Sequence, residues 1–453
     1  MKDQPQNKNR LLGLISKTQI AGGSGPLPAK KDFEPMIKLY LSSNGTLTGA
    51  PINVIRQIRK ELSMKNPAYI EARKHGRWTG NLDEWLRFYG LVKDGISFPR
   101  GYARRAWTLC AENGQAPSLE DCRRTLRPLQ VDFQGKLRDY QEKALRDILS
   151  RDDGVCEAVT GSGKTVMALA VIEARNQPTL ILVHTKELLQ QWQDRIKQFL
   201  NVDPGKIGAG KMDIQPISVC MVQTLLKHLD TLPEHFGHLV VDECHRIPSS
   251  TFSECVKAFD ARYLLGLSAT PFRRDGLGKL IYWTLGDLVH KVDSDLLRDS
   301  GAVLKPEIVT RETDFSYDYR DDYTGMVSAL TENQERNAFI AKDIAGNMNG
   351  KGSALVVSDR VEHLRTLAGM VNAQNMAVLT GQTPARDRER IVMELEQGNI
   401  RVLFSTVQLI GEGFDAAGLT DLYLTTPVKF KGRLLQVVGR ILRPKDGKKP
   451  RIF

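Results

Sequence analysis

The sequence predicts an α/β protein with two successive parallel-sheet domains, preceded by a small basic α+β domain. From about residue 131 onward, short apolar runs such as TLILVH, HLVVDE and YLLGLSAT alternate with amphipathic stretches. The same alternation restarts after an Asp-rich passage near residues 293–323, with ALVVS, MAVLT, RVLFS and DLYLTT. Continuous apolar strands separated by helices are typical of a parallel sheet that helices cover on both faces.

The chain of 453 residues is long enough for roughly two or three domains of the usual size. We expect a flexible lead at residues 1–32, the basic α+β domain at 33–130, and the parallel-sheet domains at 131–298 and 299–453. Within the α+β domain, MIKLYLSS predicts a strand and INVIRQIRKEL an amphipathic helix. NPAYIEARKHGRWTG is interpreted as a basic loop, and FPRGYARRAWTLC as a turn that leads into a helix.

Composition excludes several classes of protein. Hydrophobic residues make up 41% and charged residues 26% of the chain, which is typical of a globular protein. No run approaches the ~18 apolar residues of a membrane span, and no apolar segment follows MKDQPQNKNR as in a secretory signal. Six cysteines without a CxxC pair indicate neither a disulfide framework nor structural zinc. We therefore expect no membrane partner, and a location in the cytoplasm of a bacterial, archaeal or phage-infected cell or in a nucleus.

Positive charge is concentrated near the N-terminus. Residues 1–130 hold 22 Lys and Arg against 11 Asp and Glu, an excess equal to the net charge of +11 of the whole chain. The same segment contains Trp78, Trp85 and Trp107. Basic residues with aromatic ones are the expected composition of a nucleic-acid contact surface, and a solvated basic face is the alternative.

AVTGSGKT, residues 158–165, lies between a predicted strand and a predicted helix. Glycines let the backbone wrap a phosphate, and the helix N-terminus directs N–H groups at it. Ala158 replaces the first glycine of the general pattern, and a glycine-rich turn with a chance Lys-Thr is the alternative. We expect Lys164 to reach the β- and γ-phosphates of ATP and the Thr165 hydroxyl to bind Mg²⁺. The residues expected to contact ATP in this loop are Thr160, Gly161, Ser162, Gly163, Lys164 and Thr165.

VVDECHRIP, residues 240–248, allows a metal site, a thiol–imidazole pair or an acidic box. Cys244 and His245 are adjacent, which is poor geometry for a nucleophile and its base, and further metal ligands at plausible spacing do not stand out. A phosphate loop needs an acidic partner at the end of a neighbouring strand. We expect Asp242 to hold Mg²⁺ and Glu243 to orient and deprotonate the attacking water.

AVTGSGKT and VVDECHRIP, followed along the chain by an ordered series of further motifs, resemble the motifs of the superfamily 2 helicases. The resemblance is greatest to the XPB-type and phage UvsW-type group. The resemblance covers roughly residues 134–450 and implies two tandem RecA-like domains that flank an ATP cleft. LRDYQEKAL resembles the Q motif, which implies that Gln141, with Arg138, binds adenine. GLSATPFRRDG resembles the motif whose Ser268 and Thr270 couple the nucleotide and nucleic-acid sites. Arg273-Arg274-Asp275 departs from the Arg-Glu-Asp element of XPB-type proteins, so no role is assigned to it.

Further motifs imply contacts to nucleic acid and to the γ-phosphate. VHTKELLQQW, VQTLL, ALVVSDRVEHL, LTGQTPARDRE and STVQLIGEGFD imply nucleic-acid contacts by Thr185, Thr224, Ser358, Thr380 and Thr406. The last of these motifs also implies that Gly413 and Asp415 face the nucleotide. QVVGRILRP implies that Arg440 and Arg443 act as arginine fingers in the closed state, and that Gln436 contacts His245 as a coupling pair. The alternatives are a plain helix cap at Thr185 and a solvated face for the two arginines.

The resemblance implies an ATP- and Mg²⁺-dependent DNA helicase or translocase that acts in DNA repair and recombination. The resemblance also implies 3′→5′ movement on forked, branched or duplex DNA. Because such domains grip the phosphate backbone, we expect little sequence specificity. Two alternatives stay open. One is an ATP-gated clamp or helicase-like subunit of a larger defence or repair complex. The other is an RNA-directed helicase.

Overall fold

The computed structural model describes most of the chain from residue 37 onward. The described residues are 37–159, 161–245, 249–269, 276–293, 296–297, 303–348, 352–411, 418–428, 434, 437–439, 441–442 and 447–453. The flexible lead proposed for residues 1–32 lies outside them. Within the described residues, no helix is long and apolar enough to cross a membrane.

The N-terminal domain is a small α+β unit. Its strands are β1 (Lys38–Leu41), β2 (Asn44–Thr48), β3 (Ser63–Lys65), β4 (Trp85–Arg87), β5 (Gly90–Val92), β6 (Gly95–Pro99) and β7 (Ser118–Asp121). Its helices are α1 (Ile52–Glu61), α2 (Pro67–Lys74) and α3 (Ala103–Glu112), the last preceded by a 3-10 turn at Arg100–Tyr102. Five strands form one sheet in the order β5-β6-β2-β1-β7, antiparallel except for the parallel pair β1–β7. The strand in MIKLYLSS and the helix in INVIRQIRKEL are confirmed.

The interpretation of NPAYIEARKHGRWTG as a loop is wrong in its first half, because α2 begins at Pro67. The Asn66 side chain accepts a hydrogen bond from the backbone N–H of Ala68 at 3.0 Å. A proline at the first helical position loses no intrahelical hydrogen bond, and Asn is a preferred N-cap. The basic composition of the segment concealed these two helix-start signals.

The first parallel sheet has eight strands in the order β11-β10-β12-β9-β13-β14-β8-β15, and only β11 is antiparallel to its neighbour. The strands are β8 (Asp153–Glu157), β9 (Thr179–Val183), β10 (Gly205–Gly208), β11 (Lys211–Met212), β12 (Ile217–Met221), β13 (His238–Val241), β14 (Tyr263–Ser268) and β15 (Leu288–Lys291). The helices are α4 (Asp139–Leu149), α5 (Lys164–Arg175), α6 (Lys186–Leu200), α7 (Val222–Leu225), α8 (Ser249–Lys257) and α9 (Lys279–Leu285), with a 3-10 turn at Pro233–His235.

Two hydrophobic cores explain why the strand runs are continuously apolar. In β9, Ile181 and Val183 join the core that also receives α5 and α6. Leu180 and Leu182 point to the opposite face and join the core that receives α8 and α9. Successive side chains of a strand alternate between faces, so a strand covered on both sides needs an apolar residue at every position.

The second parallel sheet has six strands in the order β16-β21-β20-β17-β19-β18, all parallel. The strands are β16 (Glu307–Ile308), β17 (Ser353–Ser358), β18 (Met376–Leu379), β19 (Val402–Thr406), β20 (Leu419–Leu424) and β21 (Arg451–Ile452). The helices are α10 (Tyr323–Glu332), α11 (Gln334–Asn347), α12 (Val361–Val371), α13 (Ala385–Glu396) and α14 (Val407–Gly411). The predicted fold class, two parallel-sheet domains behind a small α+β domain, is confirmed.

The N-terminal domain is packed against α9 of the first parallel-sheet domain. Leu280 and Trp283 of this helix belong to the hydrophobic core of the N-terminal domain. The buried Arg100 side chain donates to both carboxylate oxygens of Asp153, at 2.9 and 3.1 Å, and to the carbonyl oxygen of Ala261 at 2.6 Å. Because the contact is both apolar and ionic, it fixes the position of the N-terminal domain on this sheet.

Candidate functional site

The loop between β8 and α5 has the geometry of a phosphate-binding loop. Gly161 and Gly163 adopt φ values of +91° and +78°, which glycine reaches without steric cost. The Lys164 ammonium donates to the carbonyl oxygen of Ala158 at 3.0 Å, across the mouth of the loop. The Ser162 hydroxyl oxygen is buried and has no hydrogen-bond partner among the described residues. An orphaned buried oxygen beside two left-handed glycines is consistent with a loop shaped around a ligand.

The acidic pair directly follows β13, at the same edge of the sheet. The Glu243 carboxylate lies 3.6 Å from the Lys164 ammonium. Glu243 has φ +46°, a left-handed conformation that is rare for a side chain other than Asn or Asp. Its backbone N–H donates to the Asp242 carboxylate at 2.9 Å, which supports this conformation. The structure thus brings Lys164, Asp242 and Glu243 together as the sequence predicts.

Asp242 is buried, and its carboxylate is held by Trp192, for which the sequence predicts no role in the site. Burial and the negative charge of Glu243 raise the pKa of Asp242 to about 6. The indole N–H of Trp192, on α6, donates to its Oδ2 atom at 2.8 Å and opposes that rise in pKa. Trp192 stands at the end of VHTKELLQQW, where a tryptophan in an amphipathic helix indicates only a core position. An indole N–H that needs a partner when buried was the available signal.

Cys244 and His245 point to different surroundings. Cys244 is fully buried in the core beneath α8 and α9, as a packing residue. The Nδ1 atom of His245 lies 2.9 Å from the Ser268 hydroxyl and 3.4 Å from the Glu243 carboxylate. No group of three or more His, Cys, Asp or Glu residues suited to a metal ion occurs in the part of the chain that the structure describes. The geometry favours the acidic box over the thiol–imidazole pair and the protein-only metal site.

The donor set fits Mg²⁺ bound with a nucleotide. Mg²⁺ prefers oxygen ligands, and in nucleotide sites it is held by one or two protein oxygens, substrate phosphates and water. Thr165, at the start of α5, and the buried Asp242 carboxylate are oxygen donors of this kind. Lys164 offers the positive charge that phosphate oxygens require.

Two protein-family models match the chain. The type III restriction enzyme res subunit matches residues 134–273, and the helicase conserved C-terminal domain matches residues 336–445. The DNA 3′-5′ translocase XPB2 of Sulfurisphaera tokodaii is 28% identical over an alignment that covers 69% of this chain and 79% of that protein. The chain belongs to the superfamily 2 helicases. It is an ATP-hydrolysing enzyme, and the resemblance to XPB-type proteins is confirmed.

A DNA-bound restriction-modification enzyme of known structure is similar in fold to this helicase. The type ISP restriction-modification enzyme LlaBIII, bound to DNA, superposes with a TM-score of 0.53 and 16% identity, over 70% of this chain and 27% of that chain. T4 UvsW is matched over 92% of this chain and 89% of that chain, with 18% identity and a TM-score of 0.44. The predicted RecA-like character of the two parallel-sheet domains is confirmed.

In this helicase the Q-motif residues contact the phosphate loop. The Gln141 side chain accepts from the backbone N–H of Arg138 at 2.9 Å and donates to the carbonyl oxygen of Ser162 at 3.1 Å. The Tyr140 hydroxyl donates to the same carbonyl at 3.0 Å. Each end of the Gln141 amide therefore has one protein partner, and each can form a second hydrogen bond, so an adenine contact would not require these bonds to break. The adenine-binding role of Gln141 and Arg138 stays a prediction.

The five residues expected to contact nucleic acid occupy the same kind of position, two in the first parallel sheet and three in the second. Each stands at or within three residues after the carboxyl end of a parallel strand, the edge where ligands bind in open α/β sheets. They are Thr185 after β9, Thr224 after β12, Ser358 at the end of β17, Thr380 after β18 and Thr406 at the end of β19. Thr185 is also the N-cap of α6, accepting from the backbone N–H of Leu188 at 3.2 Å. All five contacts stay predictions.

Ser358 and Thr380 have structural partners in the helicase. Ser358 is buried, and its hydroxyl oxygen accepts from the backbone N–H of Arg360 at 3.1 Å and lies 3.0 Å from the Nδ1 atom of His363. Thr380 is also buried, and its hydroxyl oxygen accepts from the backbone N–H of Gln382 at 3.3 Å. A phosphate contact by either hydroxyl would have to coexist with these bonds or replace them.

Several predicted site residues lie outside the described residues: Thr160, Thr270, Gly413, Asp415, Gln436, Arg440 and Arg443. Arg273-Arg274-Asp275, to which no role is assigned, also lies outside them. A neighbouring contact nevertheless links the two parallel-sheet domains. Val303 packs against the first hydrophobic core, next to Gly161, and the backbone N–H of Leu304 donates to the carbonyl oxygen of Leu442 at 2.8 Å.

Proposed function

We propose that this helicase is an ATP- and Mg²⁺-dependent DNA translocase that moves 3′→5′ on forked, branched or duplex DNA and separates or remodels its strands. The observation that carries the proposal is the approach of Glu243 to within 3.6 Å of Lys164, beside the buried Asp242. A phosphate-binding cation, a metal-binding carboxylate and a second carboxylate at one sheet edge are the groups that phosphoryl transfer to water requires.

Each of these side chains has a distinct task in the proposed reaction. Lys164 would exchange the Ala158 carbonyl for the β- and γ-phosphates, and Thr165 and Asp242 would hold Mg²⁺. When bound, Mg²⁺ would neutralise charge that develops on the phosphate oxygens. Glu243 would orient the attacking water and accept its proton. The left-handed backbone at Glu243 favours this role because it turns the carboxylate towards Lys164.

The second parallel-sheet domain would complete the site. We propose that Arg440 and Arg443 stabilise charge on the γ-phosphate when the domains close, and that Gly413 and Asp415 face the nucleotide. The contact between Leu304 and Leu442, one residue from Arg443 in sequence, supports this arrangement because Val303 packs beside the phosphate loop. His245, with Ser268 at 2.9 Å, would transmit the state of Glu243 to the nucleic-acid contacts.

DNA as the substrate and the 3′→5′ direction are inferred from the relatives. XPB2 of Sulfurisphaera tokodaii is described as a DNA 3′-5′ translocase. We propose that Thr185, Thr224 and Thr406 bind the phosphate backbone of one strand, and that Ser358 and Thr380 assist them. The basic N-terminal domain would add the preference for forked, branched or duplex DNA, since its positive charge attracts phosphate without regard to sequence.

The ATPase site is tested by two substitutions and a control. Glu243→Gln should reduce DNA-stimulated ATP hydrolysis by about 100-fold or more, since a general base contributes at least that factor. Lys164→Ala should reduce it by about 100-fold or more as well, because it removes a cation that stabilises charge on the phosphates. Lys197→Ala, which removes an exposed lysine paired with Asp203 in the same domain, should leave hydrolysis unchanged. Phosphate release with forked DNA is the measurement. Near-normal hydrolysis by both site variants would refute the assignment.

Substrate and direction need separate measurements. Stimulation of hydrolysis should be greater with single-stranded or forked DNA than with RNA of the same sequence. Streptavidin should be displaced faster from the 5′ end of a biotinylated strand than from its 3′ end, as 3′→5′ movement requires. Greater stimulation by RNA, or faster displacement from the 3′ end, would contradict the respective part of the proposal.

A second candidate is a helicase-like subunit of a larger restriction or defence complex, or an ATP-gated clamp. The match of residues 134–273 to the res subunit of type III restriction enzymes favours it. This candidate predicts normal DNA-stimulated hydrolysis without strand separation or streptavidin displacement by the isolated chain.

A further inference from the structure

The N-terminal domain contains a distinct unit, the ribbon–helix module, formed by residues 63–87. Strands β3 and β4 pair with each other outside the main sheet, with Lys65 opposite Trp85. Asn66 closes the module at its base. Its side-chain N–H donates to the carbonyl oxygen of Asp83, and its backbone N–H to that of Glu84, both at 2.9 Å. The module is therefore a defined surface and not an open loop.

A cavity of about 320 Å³ lies between α2 and the ribbon. Its lining contains three cationic side chains, one aromatic ring, one aliphatic side chain and one carboxylate: Lys65, Arg73, Lys74, Tyr69, Ile70 and Glu84. The volume falls within the range of sites that bind small organic groups, roughly 300–1,000 Å³. None of these residues belongs to the nucleotide site of the first parallel-sheet domain.

The ribbon–helix module also exposes two tryptophan rings. Trp85 is 43% exposed, and the Lys65 ammonium lies 6.0 Å from the centroid of its ring. Trp78, in the loop that connects α2 to β4, is 75% exposed. Large apolar rings at the surface beside cations are suited to nucleic acid, because rings stack on bases while cations bind phosphates. Duplex DNA hides the faces of its bases, so these rings favour an unpaired strand.

The single carboxylate indicates that a base, and not only phosphate, enters the cavity. Glu84 would repel a phosphate group, whereas a carboxylate can accept a hydrogen bond from an N–H group on the Watson–Crick edge of an unpaired base, such as the N3–H of thymine. Lys65, Arg73 and Lys74 supply the positive charge for phosphates on either side of that base. The module also lies beside the first parallel-sheet domain, since a Cβ atom placed on Gly276 would be 3.0 Å from Pro67 at the start of α2.

We propose that the ribbon–helix module is a binding site for an unpaired DNA strand. One base enters the cavity and stacks on Tyr69, a neighbouring base stacks on the exposed ring of Trp85, and Lys65, Arg73 and Lys74 bind the adjacent phosphates. This inference rests on the proposed action on branched DNA, because a fork presents an unpaired strand beside a duplex. It adds to that proposal the residues that recognise the branch.

The test compares two variants of the full chain with a control of matched charge. Arg73→Ala combined with Lys74→Ala removes two cations from the cavity, and Trp85→Ala removes a ring. Arg56→Ala combined with Lys60→Ala removes two exposed cations from α1, in the same domain but outside the cavity. Binding is measured by fluorescence anisotropy with labelled oligo(dT), a blunt duplex and oligo(U), over a series of salt concentrations, without nucleotide.

We expect Trp85→Ala to weaken binding of oligo(dT) about 5- to 150-fold, the factor that corresponds to loss of one stacked base. The Arg73/Lys74 variant should lower the slope of log affinity against log salt by about 1.4, since each phosphate contact to a single strand contributes about 0.7. The control should change the oligo(dT) slope by less than half of that, and duplex binding should fall less than oligo(dT) binding in the cavity variants.

Three results would overturn the proposal: unchanged oligo(dT) affinity in both cavity variants, an equal loss in the control, or tighter binding of oligo(U) than of oligo(dT) that depends on the cavity. Matching thermal unfolding curves exclude a folding defect. The proposed function is judged separately by DNA-stimulated hydrolysis in the wild type and in Lys164→Ala. Normal stimulation with unaltered oligo(dT) binding by the variants would remove the module's role while leaving the ATPase assignment intact.

Discussion

Trp192→Phe is the substitution that most directly tests how the helicase positions its metal-binding carboxylate. The change removes the indole N–H that donates to Asp242 at 2.8 Å and retains an aromatic ring in the core. Loss of a hydrogen bond to a charged group costs about 1.5–3 kcal/mol. Groups that hydrogen-bond to a metal ligand and so orient it typically contribute a factor of about 10–100 in metal affinity. We therefore expect the Mg²⁺ concentration for half-maximal activity to rise at least about tenfold.

Two measurements separate metal binding from turnover. The first is ATP hydrolysis as a function of Mg²⁺ concentration at saturating ATP and DNA. The second is Mg²⁺-dependent binding of a fluorescent ATP analogue, which requires no catalysis. Both curves should shift to higher Mg²⁺, and the hydrolysis rate at saturating Mg²⁺ should recover in part because Asp242 itself is retained.

Trp283→Phe is the matched control, since Trp283 is also buried but packs against Phe88 with ring centroids 5.3 Å apart, away from the phosphate loop. It should reduce stability through lost packing and leave the Mg²⁺ curves unchanged. If Trp192→Phe leaves both curves in place, or if the control shifts them equally, the indole does not orient Asp242 for the metal.

Two further predictions concern stability. Gly101→Ala would place a Cβ atom against the backbone of Gly286, and overpacking of this kind costs about 1–3 kcal/mol, which urea unfolding should detect. Gly346 lies in α11, and a Cβ atom placed on it would have nothing within 4 Å. Gly346→Ala should therefore raise the free energy of unfolding by about 0.5–1 kcal/mol. Equal effects of the two substitutions would contradict the close approach. Burial, and secondarily the charge of Arg336, lowers the pKa of His363 from 6.5 to about 4. The neutral ring therefore contributes stability above pH 6.5, and about 3 kcal/mol is lost as the pH falls from 6.5 towards 4, because the unfolded state takes up the proton first. His363→Gln should show a shallower decline in the free energy of unfolding over this interval, and an unchanged decline would refute the assignment.

Local sequence signals were sufficient for the parallel sheets and for the centre of the site. TLILV predicted β9 because both faces of that strand are covered, and AVTGSGKT and VVDE predicted the positions of Lys164, Asp242 and Glu243 because each motif lies at a strand end. Parallel strands place their carboxyl ends at one edge, so order along the chain was enough to bring these groups together.

The contacts that tertiary packing creates could not be predicted in this way. Trp192 and Asp242 are 50 residues apart in sequence, and their hydrogen bond depends on how α6 lies against β13. Ser358 illustrates the same limit. Its motif implied a nucleic-acid contact, whereas its burial beside His363 is set by the packing of α12 on the second sheet, which no local pattern specifies.

The junction between the N-terminal domain and the first parallel-sheet domain determines what ATP-driven motion can do in the proposed mechanism. Arg100 is buried against Asp153, and Trp283 of α9 lies within the core of the N-terminal domain. Separating the two domains would therefore expose apolar surface and break this ion pair. The N-terminal domain should therefore move with Lys164 and not independently. A strand held by the ribbon–helix module would then stay fixed relative to the phosphate loop while the second parallel-sheet domain moves. The same junction makes deletion of residues 1–130 a poor test of DNA binding, because it would remove Arg100 and the packing partners of Trp283 together with the module. Point substitutions at Arg73, Lys74 and Trp85 avoid this loss, since these side chains are exposed and lie outside the junction.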